Sequence, residues 1–114
     1  MKGSRETGAS AEDRACLFLE SSGYEILRRN FYYGKSGEID IICRKNGILV
    51  FTEVRFRSSD EFGGAIASIG KVKLARLKKA AQGYLLANSG YSAVRFDLIS
   101  VSGASVVHIE DIIR

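Results

Sequence analysis

The feature that most constrains this chain is the dipeptide Asn46-Gly47, which stands between two stretches typical of β-strands. Residues 39–44 and 48–56 are rich in β-branched and aromatic side chains, and Asn-Gly is the strongest short-range signal for a two-residue hairpin turn. The sequence therefore predicts a tight antiparallel hairpin.

The turn also sets the register of this hairpin. Counting outward from it brings Asp40 opposite Glu53 and Glu38 opposite Arg55, although a three-residue loop with a bulge would displace the pairing by about one position. Like charges that face each other across two strands are destabilising unless something offsets them. A bound cation between Asp40 and Glu53 would do so.

The same register divides the hairpin into two faces. We expect an apolar face that packs in the core and contains Ile39, Ile41, Cys43, Val50, Thr52, Val54 and Phe56. The other face is apolar near the turn, at Ile42, Leu49 and Phe51. It is charged toward the open end, at Glu38, Asp40, Glu53, Arg55 and Arg57.

Composition favours one domain over residues 1–114, with residues 1–9 flexible, because 46% hydrophobic residues suffice for one packed core. No stretch approaches the roughly 18 apolar residues of a membrane span, and the N-terminus is polar rather than signal-like. We therefore expect a cytoplasmic protein without a membrane partner. Cys16 and Cys43 lack a CxxC spacing and are expected to be buried free thiols.

The remaining pattern predicts helices on either side of the hairpin. Ser10 is expected to cap a helix that runs to about Ser22, and a short strand follows around residues 24–27. A mobile loop at 57–64 precedes a long helix over 65–87, which Gly70 can interrupt. Because this helix connects the hairpin to a strand over 94–101, those strands should be parallel; a short strand over 106–109 ends the chain.

Asp40 and Glu53 carry the oxygen ligands that Mg²⁺ prefers, and the backbone carbonyl of Val54 would be a further ligand. Such an ion polarises a phosphoryl oxygen and stabilises the leaving oxygen of a phosphodiester. Arg55 leaves the same strand face as Glu53 and can stabilise charge, but its high pKa makes it a poor general base. A structural network of the two acids with neighbouring arginines remains an equal alternative.

Glu12 is a third acidic candidate, because it extends the inward-facing stripe of its helix. A favourable interaction with the helix dipole is enough to explain most such glutamates, and from spacing alone we favour that explanation. His108 is the only histidine and is expected to be structural or at the surface. Phe51 and Phe56 are expected to be buried, whereas Tyr32 and Tyr33 can be either structural or base-stacking.

The net charge of +4 is only mildly basic, but the positive residues are concentrated. Such a charge run is often just a solvated helix face; beside a carboxylate cluster it favours phosphate binding instead. The residues expected to contact nucleic acid are Arg29, Lys35, Arg57, Lys71, Lys73, Arg76, Lys78 and Lys79.

Taken in order, several of these motifs resemble the YraN family of small bacterial proteins, which is related in fold to the PD-(D/E)xK nucleases. The resemblance covers nearly the whole chain. It rests on Glu12 with Ala15, Gly23-Tyr24, Ile26-Leu27, Arg29-Asn30, Gly37-Glu38-Ile39-Asp40, Val50-Phe51-Thr52-Glu53-Val54-Arg55 with Arg57, Phe62-Gly63, Lys73, Ala81, Tyr84-Leu85, Arg95-Phe96-Asp97 and His108-Ile109.

The resemblance implies an α/β fold with a restriction endonuclease-like core, α-β-β-β-α-β, whose mixed central sheet is flanked by helices. It implies Mg²⁺ or Mn²⁺ ligands at Asp40 and Glu53, an auxiliary acid at Glu12, and Arg55 at the position of the catalytic lysine. The YraN-like motif more often has lysine there. Arginine preserves the charge but not a neutral amine, which Lys35 or Lys73 would supply only if folding brings it close.

The resemblance thus implies a metal-dependent endonuclease that acts on structured or branched DNA, as Holliday-junction resolvases do. It also favours a homodimer, since related nucleases often pair to cut both strands. Two alternatives stay open, namely a nucleic-acid-binding module of the same fold without catalysis and a protein-protein adaptor.

Overall fold

A computed structural model describes residues 8–57 and 69–113. One mixed sheet, ordered β1-β2-β3-β4-β5, is flanked by two helices in this part of the chain. The order α-β-β-β-α-β-β confirms the predicted α/β class and agrees with the predicted core. The elements are α1 (Gly8–Ser21), β1 (Glu25–Tyr33), β2 (Gly37–Lys45), β3 (Ile48–Phe56), α2 (Lys71–Ala87), β4 (Ala93–Ser102) and β5 (Ser105–Ile109).

The β2–β3 hairpin has the register predicted from its turn. Lys45 pairs with Ile48, and the antiparallel ladder continues as far as Ile41 and Thr52. Asn46 and Gly47 have φ angles of 54° and 80°, the positive values that a two-residue type I′ turn requires. The local sequence is therefore sufficient to set this pairing.

The strand β4 lies parallel to β3, from Ile48↔Ala93 to Phe56↔Val101, as predicted for two strands joined through a helix. The helix α2 begins at Lys71, directly after Gly70, so the interruption considered at Gly70 is the start of this helix. The predicted helical residues 65–68 lie outside the described residues. So does the predicted mobile loop 57–64, apart from Arg57.

Two predicted element boundaries are wrong. The helix α1 begins at Gly8, so Ser10 lies inside it rather than at its cap, and the alanines beside Ser10 are strong helix formers. The strand β1 extends to Tyr33 because β2 pairs with it as far as Gly37, and this pairing overrides the weak local strand signal. Residues 1–7 lie outside the described residues, and the flexibility of residues 1–9 stays a prediction.

Helices cover both faces of the sheet. The sheet side chains that pack under α1 include Ile41, Cys43, Val50, Ile99 and Val101. Those that pack under α2 include Ile39, Ile42, Leu49 and Phe51. Burial of Phe51 is thus confirmed, and the apolar part of the second hairpin face, at Ile42, Leu49 and Phe51, packs in the core.

Two residues depart from the predicted core face. Ile39 packs with the α2 cluster although Ile41 packs with the α1 cluster, so strict alternation along β2 is broken at the intervening Asp40. Phe56 is 42% exposed, because it lies at the end of β3 rather than beneath a helix in the described part of the chain. The predicted burial of Phe56 is wrong.

A charged network is buried on the α1 side of the sheet. The carboxylate of Asp97 is fully buried; it accepts two hydrogen bonds of 2.8 Å from Arg95 and lies 2.7 Å from Nε2 of His108. Arg95 also donates to the hydroxyl of Tyr24 at 2.7 Å. His108 therefore has a structural contact, one of the two roles expected for it.

Both cysteines, Cys16 and Cys43, are buried free thiols, as predicted. Burial raises the pKa of Cys43 to about 12, so this thiol stays protonated at neutral pH. Neither helix of the described residues has the length and apolar character needed to cross a membrane.

Candidate active site

The candidate site lies where β2 and β3 stop pairing. The ladder between them ends at Ile41 and Thr52, and one residue further the Oδ2 atom of Asp40 accepts a hydrogen bond of 2.8 Å from the backbone N–H of Val54. A side chain thus occupies the place of a backbone carbonyl, and the expected pairing of Glu38 with Arg55 is not part of the ladder. The result is a polar gap at the open end of the hairpin.

Asp40 and Glu53 lie directly beyond the last pair of the ladder, Ile41↔Thr52, so their predicted pairing is not part of it; both side chains are buried, at 9% and 3% exposure. Their carboxyl groups lie close enough to share a hydrogen bond when one of them is protonated. Burial, followed by the charge of Asp40, raises the pKa of Glu53 to about 8. The structure therefore brings together the two acids that the sequence singled out, and it does so in a site that disfavours two uncompensated negative charges.

The two oxygens of Glu53 have different surroundings. Oε2 lies 3.5 Å from Nε of Arg55 and 3.6 Å from Nζ of Lys73. Oε1 is buried and has no hydrogen-bond partner among the described residues. A buried acceptor without a partner costs about 1–3 kcal/mol, which a bound cation would offset.

This donor set suits a small divalent cation. Asp40 and Glu53 provide two carboxylates, and Mg²⁺ is normally held by one or two carboxylates while it keeps several waters. The carbonyl of Val54 lies on the same side of β3 as its N–H, so it also faces the gap beside Asp40. Residues 8–57 and 69–113 contain no group of three or more His, Cys, Asp or Glu side chains placed to hold a metal, so any such site depends on this pair, the backbone and water.

Glu12 of α1 lies on the Asp40 side of the gap. Its side chain is 16% exposed, and burial together with the charge of Asp40 raises its pKa. Arg29 approaches Glu12 at 3.6 Å but makes its shorter ion pair, 2.9 Å, with Asp13. The first helix thus brings Glu12 near Asp40, and Arg29 partly neutralises it.

Asn30 belongs to this site, although its position in the sequence indicated no role for it. It hydrogen-bonds the side chain of Glu12, and it stands level with Asp40 between the pairs Arg29↔Ile41 and Phe31↔Ile39. Its φ of 53° is left-handed, a conformation that asparagine tolerates better than most residues. The available signal was an asparagine inside a strand, where this residue type is depleted.

The residues predicted to contact nucleic acid are dispersed. Arg29 and Lys73 lie against carboxylates, whereas Arg57 is half-buried after β3, where its backbone N–H donates to the carbonyl of Val101 at 2.8 Å. Lys35 is exposed in the turn between β1 and β2. The other four are exposed on α2, namely Lys71, Arg76, Lys78 and Lys79.

Comparison with known proteins identifies the family. The sequence profile of the uncharacterised protein family UPF0102 matches residues 11–101. The chain belongs to this family. The YraN family that the motifs resemble is the same family, UPF0102, so that resemblance is confirmed.

Relatives within UPF0102 match most of the chain. A protein of Nitrosomonas europaea is 43% identical over 110 residues, which cover 96% of this chain and 92% of the relative. A protein of Paracidovorax citrulli is 48% identical over 105 residues, covering 90% and 78% respectively, and one of Shewanella loihica is 40% identical over 99 residues, covering 87% and 86%. Their names give the family and no activity.

Proposed function

We propose that this protein is a divalent-metal-dependent nuclease that hydrolyses phosphodiester bonds in structured or branched DNA. The observation that carries the proposal is the buried Glu53 carboxylate, which meets Asp40 and leaves Oε1 without a partner in the described part of the chain. The motif resemblance to the PD-(D/E)xK nucleases supports the same reaction.

In this proposal Asp40, Glu53 and the carbonyl of Val54 hold Mg²⁺ or Mn²⁺. The bound ion supplies polarisation of a phosphoryl oxygen and stabilisation of the leaving oxygen. Both carboxylates must be ionised to hold it, and the raised pKa of Glu53 makes proton release part of binding. Glu12, held by Asn30 and Arg29, is the auxiliary acid on the α1 side of the gap.

The reaction is a hydrolysis. The oxygen of a water molecule bonds to phosphorus while one P–O ester bond breaks, which leaves a phosphate monoester on one fragment. The departing oxygen takes one proton of that water and becomes a hydroxyl, and the other proton stays with the phosphate or passes to solvent. Arg55, half-buried beside Glu53, stabilises the negative charge on the phosphate and remains protonated throughout.

DNA binding in this proposal uses the exposed basic residues of α2, together with Lys35 and the half-buried Arg57. A homodimer would place two such sites on opposite strands of the substrate. Two free buried thiols suit a reducing compartment, so we place the activity in the cytoplasm.

A nucleic-acid-binding module without catalysis is the second candidate. It is favoured by the exposure of four basic residues on α2, and by arginine rather than lysine at position 55. Such a module would bind DNA with strong salt dependence whether or not Asp40 and Glu53 are intact.

The test is cleavage of a four-way junction, a flap and a single strand by the purified protein with Mg²⁺ or Mn²⁺. We expect metal-dependent cutting that EDTA abolishes and that falls about 10²-fold or more in Asp40→Ala or Glu53→Gln, since either change removes a ligand. Glu25→Gln, an exposed acid on β1, is the matched control and should cut as the wild type does.

If no substrate is cut with either metal, catalysis is refuted. Salt-dependent binding that survives Asp40→Ala would then establish the second candidate. Absence of any salt-sensitive binding would favour a protein-binding role.

A further inference from the structure

Lys73 stands apart from the other basic residues of α2. Lys71, Arg76, Lys78 and Lys79 are exposed, whereas the Lys73 side chain is 29% exposed and its Nζ lies 3.6 Å from Oε2 of Glu53. The same oxygen is approached by Arg55, which is 32% exposed. Two cations of different origin, one from the sheet and one from a helix, therefore flank one buried carboxylate.

The start of α2 is packed against the sheet. This packing fixes the backbone that carries Lys73 close to Glu53. Ile69 and Leu74, on either side of Lys73 in the chain, pack against the fully buried Leu98 of β4. One turn further along α2, the backbone of Arg76 lies directly against Gly37 at the start of β2. These contacts fix the helix on both sides of Lys73.

Neither cation makes a close ion pair with Glu53. Charge-assisted N–H···O hydrogen bonds are normally about 2.7–2.9 Å long, whereas the two distances here are 3.5 and 3.6 Å. In addition, Nε of Arg55 is buried and has no hydrogen-bond partner among the described residues. Both groups thus keep donors for an anion beside Glu53.

We infer that Lys73 is a catalytic residue of this site, where its ammonium contacts the scissile phosphate opposite Arg55 and stabilises the charge that develops there. The inference rests on the proposed nuclease function. A cation held by Glu53 would offset its negative charge, so the attraction between this carboxylate and Lys73 would weaken. The flexible stem of lysine then lets the compact charge turn to a phosphate oxygen.

The experiment compares Lys73→Ala and Lys73→Arg with Gln82→Ala, which changes an exposed polar side chain of the same helix outside the proposed DNA contacts. Single-turnover cleavage of a junction at saturating protein should fall about 10²-fold in Lys73→Ala, the usual loss on removal of one charge-stabilising donor. Lys73→Arg should recover at least about tenfold of this loss because it restores the positive charge. Gln82→Ala should leave the saturated rate within about threefold, because it alters neither the carboxylate site nor the proposed DNA contacts.

Mn²⁺ alone is the second probe, titrated calorimetrically without DNA. Affinity in Lys73→Ala should equal or exceed that of the wild type, because the variant removes a cation that competes for Glu53. If Lys73 only supported the metal site, Lys73→Ala would instead lower Mn²⁺ affinity about tenfold or more, together with activity. Urea unfolding checks that each variant is folded, and Lys73→Met, which keeps the apolar stem, replaces Lys73→Ala if that variant is not.

Wild-type cleavage with an undiminished rate in Lys73→Ala would overturn the inference and leave the nuclease proposal intact. Parallel losses of cleavage and Mn²⁺ affinity would also overturn it, because Lys73 would then only support the metal site. If the wild type cuts no substrate, the proposed function fails first and the role of Lys73 falls with it.

Discussion

The backbone carbonyl of Arg76 in α2 lies directly against Gly37, the first residue of β2. A side chain at position 37 would overlap this carbonyl, so glycine is required for the helix to approach the sheet so closely. Gly37 stands three residues before Asp40, and Arg76 stands three residues after Lys73. One backbone contact thereby sets the spacing between the carboxylate pair and the helix that carries Lys73.

Gly37→Ala should destabilise the protein by about 1–3 kcal/mol, because the added methyl group pushes α2 away from the sheet. Urea unfolding at pH 7 measures the loss. The neighbour Ser36 provides the control, since Ser36→Ala changes an exposed side chain in the turn between β1 and β2. Equal stability of Gly37→Ala and the wild type would show that α2 is not packed on β2 in this way.

The raised pKa of Glu53 predicts a pH-dependent stability. In EDTA the native state holds a proton on this group that the unfolded chain loses near pH 4.5, so stability falls as the pH rises toward about 8. Between pH 5 and 8 the wild type should lose on the order of 2 kcal/mol that Glu53→Gln does not lose. Urea unfolding across this range, with Glu25→Gln as control, tests it; parallel curves for wild type and Glu53→Gln would contradict the shift.

The left-handed φ angle of Asn30 predicts that a glycine variant is more stable than an alanine variant. Alanine pays about 1–2 kcal/mol in this conformation, whereas glycine adopts it freely. Asn30→Ala should therefore be less stable than Asn30→Gly by about 1 kcal/mol, the reverse of the order expected inside a regular strand. Thermal unfolding of the two variants decides the matter, and a more stable alanine variant would be incompatible with the φ angle at this position.

The buried Asp97 should be essential for stability. Asp97→Asn leaves the Arg95 charge without its 2.8 Å partner and should cost about 3–5 kcal/mol in urea unfolding at pH 7. Glu110→Gln removes a 57% exposed acid that lies 3.6 Å from the same arginine and should cost less than about 1 kcal/mol. Comparable losses of unfolding free energy in Asp97→Asn and Glu110→Gln would mean that the buried carboxylate contributes no more to stability than the exposed one.

The exposed face of α2 predicts the salt dependence of DNA binding. Lys78→Ala with Lys79→Ala should weaken binding to all DNA sequences alike. It should also reduce the slope of log affinity against log salt by about 1 for each phosphate that the variant no longer neutralises. Fluorescence anisotropy across a series of salt concentrations gives the slope. Unchanged affinity and slope would remove this face of α2 from the proposed interface.

Much of the hairpin was predictable because its determinants are local. Asn46-Gly47 specifies the turn, and with a fixed turn the two-residue period of strands leaves one register, which the structure keeps as far as Ile41↔Thr52, the pair next to Asp40 and Glu53. The parallel β3–β4 pair followed from the helix that joins these strands. Element ends such as Gly8 and Tyr33 were missed because neighbouring helix formers and strand partners extend an element beyond its own signal.

The site was predictable only in part. Asp40, Glu53 and Arg55 lie on one hairpin, so their spacing alone brought them together. Asn30 belonged to the motif resemblance, but no role could be assigned to it, because its left-handed bend arises opposite Asp40 from strand pairing between distant parts of the chain. The exposure of Phe56 was likewise invisible, since a strand pattern gives the face of a residue but not what covers it.

By itself the sequence determined the elements, the hairpin register and the family, because turn chemistry and hydrophobic period act between residues close together in the chain. Only the tertiary structure decided which of five basic residues in α2 reaches the acids. That choice depends on how α2 docks on Gly37 and Leu98, which are contacts between distant segments. The packing of the helix, rather than the motif around Glu53, places Lys73 beside the carboxylates.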